Sequence, residues 1–303
     1  MERLLSALLA APDPIARACF EDFWSLLQER LAGSTEPADR AVLGGFFADR
    51  LGFGFAAGYQ AALSRLLPEV EPGRCLSLAA TEVGGAHPRA IETRLTEGGQ
   101  LFGDKRFATL AVHAEQLVVL ASSGGEPDAR QLVAVLVDRA APNVTLEGLP
   151  PTPFAPEIPH ARVRFDGTPI LRRVDGDGWQ DVVKPFRTVE DLHVQLSLLG
   201  YLLSVARRGG ATESTIERLM ALCVSGHQLA RLPVASAAVH LALAGLVAET
   251  AELTELAVSE STSLPQAERA RFQRDQPLLS VAKAAREARR KRAWELALQG
   301  APR

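Results

Sequence analysis

Two stretches carry the residues whose types and spacing could do chemistry. In Leu76-Ser77-Leu78-Ala79-Ala80-Thr81-Glu82-Val83-Gly84-Gly85-Ala86-His87-Pro88 an apolar run breaks at a polar pair and enters a Gly-Gly turn. Gly103-Asp104-Lys105-Arg106-Phe107-Ala108-Thr109 follows downstream, and between the two Ile91-Glu92-Thr93-Arg94-Leu95 alternates like a half-buried strand. By itself, Thr-Glu-x-Gly-Gly describes a strand ending in a tight turn whose glycines supply positive φ. Metal and nucleophile chemistry find no motif elsewhere. The six histidines, His87, His113, His160, His193, His227 and His240, show no metal spacing, and His227 and His240 on apolar helices read as satisfied core residues. There is no Gly-x-Ser-x-Gly elbow, phosphate loop or dinucleotide fingerprint.

Taken in this order, the two stretches resemble the central β-domain of the acyl-CoA dehydrogenase family. There a Thr-Glu-Pro-Gly-x-Gly-Ser-Asp turn and a Gly-x-Lys-x-Trp-Ile-Thr strand hold FAD. The resemblance continues through Gln116-Leu117-Val118-Val119-Leu120-Ala121, Val135-Leu136-Val137-Asp138 and Ala161-Arg162-Val163-Arg164-Phe165-Asp166, and covers residues 40 to 208. It implies FAD as cofactor, with Gly84 in the flavin-binding turn. It also places Thr81 and Thr109 at positions that hydrogen-bond the flavin ring, and Phe107 at the aromatic that covers one flavin face. Phe in place of Trp keeps the stack and loses the indole N–H. His87-Pro88 replaces the family's Ser-Asp, where phosphate and substrate contacts begin. Arg207 or Arg208 supplies the charge of the Arg-x-x-Phe-Gly segment that reaches the FAD pyrophosphate of a neighbouring subunit, although the Phe is missing. The Gln-x-x-Gly-Gly-x-Gly segment of the adenine half has no counterpart between Glu255 and Arg274.

The family also needs a base beside the substrate α-carbon. In most members it is a Glu nine residues after an Arg-Asp pair; here Arg274-Asp275 is present, but the ninth residue on is Lys283, which cannot accept a proton while charged. A minority branch places its Glu at the start of the first C-terminal helix, ten residues before a Gly. Counting back from Gly200 gives Glu190 as the catalytic base, with Asp191 where an Arg is expected. Thr188 with Asp191 also reads as a capping box, and a helix N-terminus would lower the pKa that a general base needs raised.

Three kinds of element must position these residues. Residues 1–70 read as a shortened helical domain, with Asp13-Pro14 opening a helix that carries Ile15, Cys19, Phe23, Leu27 and Leu31 at helical spacing. Ser34-Thr35-Glu36-Pro37 opens another over residues 38–66, whose glycines imply either a break near Gly52 or the close approach of a neighbour. Residues 71–172 alternate in short apolar runs closed by turn clusters such as Ser122-Ser123-Gly124-Gly125-Glu126-Pro127, a sandwich or barrel that the resemblance implies is flavin-binding. Residues 173–303 form a helical bundle. In it Leu192, Leu196, Leu199, Leu203 and Ala206 make one stripe, and Ser214 with Glu217 caps the next helix. Pro233 opens an apolar helix expected at the bundle centre, and residues 266–299 form a last one whose Lys283, Arg286, Arg289, Arg290, Lys291 and Arg292 read as a solvated face.

The fold class that follows is α+β, mainly α. With 303 residues, 47% hydrophobic and 23% charged, the chain can bury a full core. A formal net charge of -3 gives no reason to expect nucleic acid. Cys19, Cys75 and Cys223 are few and scattered, as suits a reducing cytoplasm, and no stretch reads as a signal peptide or membrane span. The resemblance implies an FAD-dependent α,β-desaturation of an acyl-CoA or acyl-carrier thioester by a homodimer or homotetramer. Two alternatives stand beside it. One is a catalytically silent member acting as partner subunit in a hetero-oligomer, or as a binding module; the other is a flavin site kept for oxygen-dependent chemistry.

Overall fold

Among the described residues, the short apolar segments pair into one mixed sheet of eight strands. A computed structural model describes residues 2–125 and 130–299, so the end of the turn at Glu126-Pro127 lies outside the described residues. The chain forms two units: a helical unit of Met1–Arg65, Pro153–Ala155 and Thr188–Arg303, and a β-unit of Leu66–Thr152 and Pro156–Arg187.

In the β-unit the strands are β1 Leu76–Ala79, β2 Arg94–Leu95, β3 Gln100–Thr109, β4 Gln116–Gly124, β5 Gln131–Asp138, β6 Val144–Gly148, β7 His160–Pro169 and β8 Arg172–Arg173. Their order is β6-β7-β3-β2-β4-β5-β8, with β1 also paired to β4. β1 and β2 run parallel to β4, and the other pairings are antiparallel. On β4, Leu117–Ala121 is buried residue after residue because both faces of the sheet are covered. Leu117, Val119 and Ala121 enter a core with Val135, Val137, Val163 and Phe165. Leu120 faces a second cluster with Ile91, Leu132 and Val183. Val183 closes a wide helical turn, Gly178–Val183, started by the Asp177 carboxylate, which accepts from the N–H groups of Trp179 and Gln180.

The helical unit contains α1 Glu2–Ala10, α2 Phe20–Arg30, α3 Pro37–Phe46, α4 Leu51–Leu66, most of α5 Lys184–Gly209, α6 Glu213–Leu229, α7 Ala237–Glu260, α8 Gln266–Asp275 and α9 Lys283–Gln299. The α5 stripe is fully buried at Leu192, Leu196, Leu199, Leu203 and Ala206. Both expectations for the glycine-rich stretch hold: the helix breaks between α3 and α4, and Gly45 admits α5. A Cβ on Gly45 would stand 1.8 Å from the carbonyl oxygen of Ser197.

Several local expectations are corrected. Asp13-Pro14 opens no helix: α2 starts after Cys19, and Ile15 is exposed. The cap of α6 is Thr212, whose hydroxyl accepts from the Thr215 N–H, in place of Ser214. Pro277 breaks the last helix into α8, a 3-10 turn Gln276–Ser280 and α9, since proline lacks the N–H a helix interior requires. α7 is buried along one face only, at Val239, Leu243, Leu246, Thr250, Leu253, Thr254 and Ala257.

Candidate functional site

The turn that starts at Glu82 occupies a gap in the sheet. β1 lies along β4 at Gln116–Val119 and β2 at Ser122, so the two are pieces of one interrupted strand. Where the ladder is missing, the Glu82 carboxylate substitutes for it. Oε2 accepts from the Glu92 N–H at 2.7 Å and Oε1 from the Thr93 N–H at 3.1 Å. The Thr93 carbonyl then rejoins the ladder by accepting from the Ser122 N–H at 2.7 Å.

β3 supplies the counter-charge. Lys105, 0% exposed, donates from Nζ to Glu82 Oε1 at 2.6 Å. Burial pushes the Lys105 ammonium down to about 8 against the pull of Glu82, which leaves it protonated at neutral pH. Burial alone would raise Glu82, but the Lys105 ammonium, the Glu92 N–H and Thr93 prevail and hold its carboxyl below the ordinary range. Gly103 completes the frame: at φ +143°, a Cβ there would stand 2.5 Å from Thr93 Oγ1. The glycine and lysine of Gly103-x-Lys105 therefore build the support of the turn.

Around this frame stand four residues singled out in the sequence. The Thr81 carbonyl accepts from the Arg106 N–H at 2.7 Å, which stitches the end of β1 to β3 beside Phe107. On β3, Lys105 opposes Val163 and Ala108 opposes Ala161, so Arg106 and Phe107 share a bulge facing one residue of β7. Strict alternation would turn Phe107 to the side of Leu101 and Lys105, both buried. The bulge reverses it: Phe107 is 60% exposed and sits at φ +53°, a conformation that costs energy in a non-glycine residue. Thr81 and Thr109 are half-buried and Gly84 is exposed, so none of the four is closed into core. Thr109 Oγ1 lies 3.2 Å from Nδ1 of His160 on β7, an imidazole whose proton affinity burial lowers below the ordinary value. His87 is exposed, accepts from the Arg89 N–H at 3.3 Å, and lies 6.5 Å from the ring of Trp179.

Glu190 and Arg207 belong to the helical unit. α5 starts at Lys184, which places Thr188 and Asp191 inside it. The expected capping box is absent, and with it the dipole that would have lowered Glu190. Burial pushes the Glu190 carboxyl up to about 7, against Arg286 and Arg289, which pull it down. Those two arginines do not form a solvated face: Arg286 Nε donates to Asp191 Oδ1 at 3.1 Å, and Arg289 pairs with Asp191 Oδ2. Both arginines come from α9, and Asp191, which stands where an Arg was expected, is their anchor.

The remaining candidates hold structure together. Asp275, fully buried, accepts from Arg274 Nε at 2.6 Å and from the Ala155 N–H at 2.7 Å, which pins a residue at φ +44°. Arg207 donates to the carbonyls of Leu8 and Ala11 at the end of α1, and its guanidinium lies 5.3 Å from the Phe46 ring centroid. Seventeen residues of helix, about 25 Å, separate it from Glu190. His227 Nε2 is 2.7 Å from Asp39 Oδ1, but the buried Nδ1 of His227 and that of His240 have no hydrogen-bond partner among the described residues, so neither is the fully satisfied core histidine that the sequence suggested. Lys283 is exposed at the start of α9. Sequence reasoning missed Glu82 with Lys105, His160, and Arg286 with Arg289, because their partners lie 23, 51 and 95 residues away.

The sequence matches no family model and no curated protein. Solved structures are informative. Butyryl-CoA dehydrogenase from Megasphaera elsdenii superposes with a TM-score of 0.62 over 95% of this chain and 100% of its own, at 12% identity. This is the acyl-CoA dehydrogenase fold. PigA with FAD and proline shares it at a TM-score of 0.69 and 13% identity, covering 99% of this chain and 97% of that one. The prolyl acyl carrier protein oxidase AnaB gives 0.66 at 12% identity, covering 98% and 97%. In the acyl-CoA dehydrogenase fold of this chain, no described helix is long and apolar enough to cross a membrane. The described residues hold no group of histidine, cysteine and carboxylate side chains suited to a metal ion.

Proposed function

We propose that this chain carries out an FAD-dependent α,β-desaturation of an acyl thioester, with Glu190 as the base that removes the α-proton. The observation that carries the proposal is Glu190 itself, a half-buried carboxyl whose proton affinity burial raises to about 7. At that value the group is ionised in part at neutral pH, yet basic enough to take a proton. Arg286 and Arg289 oppose the rise and keep the ionised form available.

Thr81, Gly84, Phe107 and Thr109 fit a flavin. An exposed ring on a strained bulge offers a flat apolar face, and two half-buried threonines on adjoining strand ends offer hydroxyl and backbone groups. Bound FAD supplies the acceptor of the hydride. Arg207 is already engaged within its own chain and has no part in this assignment. The structural neighbours include a butyryl-CoA dehydrogenase and a prolyl acyl carrier protein oxidase, which supports a thioester of either carrier as the substrate class. Assembly as a homodimer or homotetramer belongs to the same proposal.

Reconstitution with FAD tests it. Anaerobic addition of acyl-CoA or acyl-carrier thioesters of graded length should bleach the flavin of the wild-type protein, and Glu190→Gln should keep the flavin and lose the bleaching. Retained bleaching in Glu190→Gln would remove Glu190 from the reaction.

A silent partner subunit, or a binding module, is the second reading. It is favoured by Lys283 at the position of the commoner base and by Arg207 spent on the carbonyls of Leu8 and Ala11. Protein that stays colourless and refuses FAD would select it.

A further inference from the structure

The helical unit holds a cavity of about 820 Å³ walled by α5, α7, the turn Gln276–Ser280 and α9. That volume is in the range of small-molecule sites. One wall is the outer face of α7, where Leu241, Ala244, Gly245, Val247, Ala248 and Ala251 are apolar and none is buried. This is the face that made α7 read as a central helix.

The polar groups of the lining are unevenly satisfied. Gln195 is only 4% exposed, yet its Oε1 has no hydrogen-bond partner, and the buried Nδ1 of His240 has none either. With no internal bond to orient it, the Gln195 amide is free to present either end to a ligand. Four cations line the cavity against two carboxylates, Glu255 and Glu287. Arg286 and Arg289 are held by Asp191, and Arg290 by Glu287. Lys283 has no ion pair among the described residues.

We propose that this cavity binds an amphipathic anion, an alkyl chain of medium length with one carboxylate or phosphate head. The chain lies on the α7 wall, and the head pairs with Lys283 and meets the unpartnered Gln195 amide. Its lining shares Arg286 and Arg289 with the surroundings of Glu190, but occupancy needs neither flavin nor turnover to be seen.

The full chain, without flavin, is titrated with decanoate, decyl phosphate and decanol by calorimetry, with Trp294 emission as a second readout. Trp294 lines the cavity and is 50% exposed, so its emission reports occupancy. One of the two anions should bind saturably, with decanol at least tenfold weaker. The better anion identifies the head. Lys283→Ala should weaken anion binding about fivefold, as an exposed ion pair allows. Gly245→Leu should abolish it without lowering the melting temperature, because no atom lies within 4 Å of a Cβ built at Gly245. Absence of saturable binding, equal affinity for decanol, or unchanged binding in a folded Gly245→Leu protein would overturn the assignment. A change in sedimentation on Gly245→Leu without any anion binding would make the face a contact between copies, and the ligand site would fall.

Discussion

Two side chains are held in costly states, and each yields a measurement. Burial raises Glu190 from 4.5 to about 7, so the folded protein favours its protonated form. The stability this confers is complete below the ordinary carboxyl value and is lost as pH rises towards 7. Glu190→Gln, which cannot ionise, should therefore melt close to wild type at pH 4.5 and above it at pH 8. Scanning fluorimetry at the two pH values checks this, and equal melting temperatures at pH 8 would mean a solvated carboxyl. If Glu190 is the base, turnover rises with pH through the same region. Phe107 stores backbone strain while remaining 60% exposed. Phe107→Gly relieves a left-handed φ, so urea denaturation of the flavin-free protein should show stability unchanged or higher by up to ~1 kcal/mol. FAD affinity should fall about tenfold as the stacking face is lost. A variant that loses stability and keeps FAD affinity would make the bulge a structural device only.

At the scale of elements, the interrupted strand β1–β2 depends on one ion pair. Glu82 bridges the gap in the ladder, and Lys105 neutralises it from β3 with no exposure to water. Removing one partner of a buried pair costs about 3–5 kcal/mol, chiefly because the other charge is left without compensation. Lys105→Met should show that loss in urea denaturation, and adding Glu82→Gln should recover part of it. A single-variant cost under ~1 kcal/mol would mean that the pair is hydrated in solution. The same element explains why Thr-Glu-x-Gly-Gly and Gly-x-Lys occur together: the Glu of one motif and the Lys and Gly of the other make a single support.

At the scale of the whole molecule, binding of FAD to the folded chain alone must raise its melting temperature. At a hundred times Kd the gain is about 2.7 kcal/mol, a shift of several degrees, and no shift at saturating FAD would favour the silent reading. What the sequence by itself determined is the set of features written in neighbouring residues. The short apolar runs became β3, β4, β5 and β7, the Leu192–Ala206 stripe became the buried face of α5, and Glu36-Pro37 opened α3. Short apolar runs between turn residues, helical periodicity and proline punctuation act over a few residues, which is why they could be read directly. The tertiary structure alone decided which charges meet. Lys105 finds Glu82, Arg286 and Arg289 find Asp191, Asp275 holds Ala155, and a bulge on β3 turns Phe107 outward against its own alternation. The physical reason is that pairing energy depends on distance and burial in space, and neither is encoded in the spacing of residues that lie up to 120 positions apart.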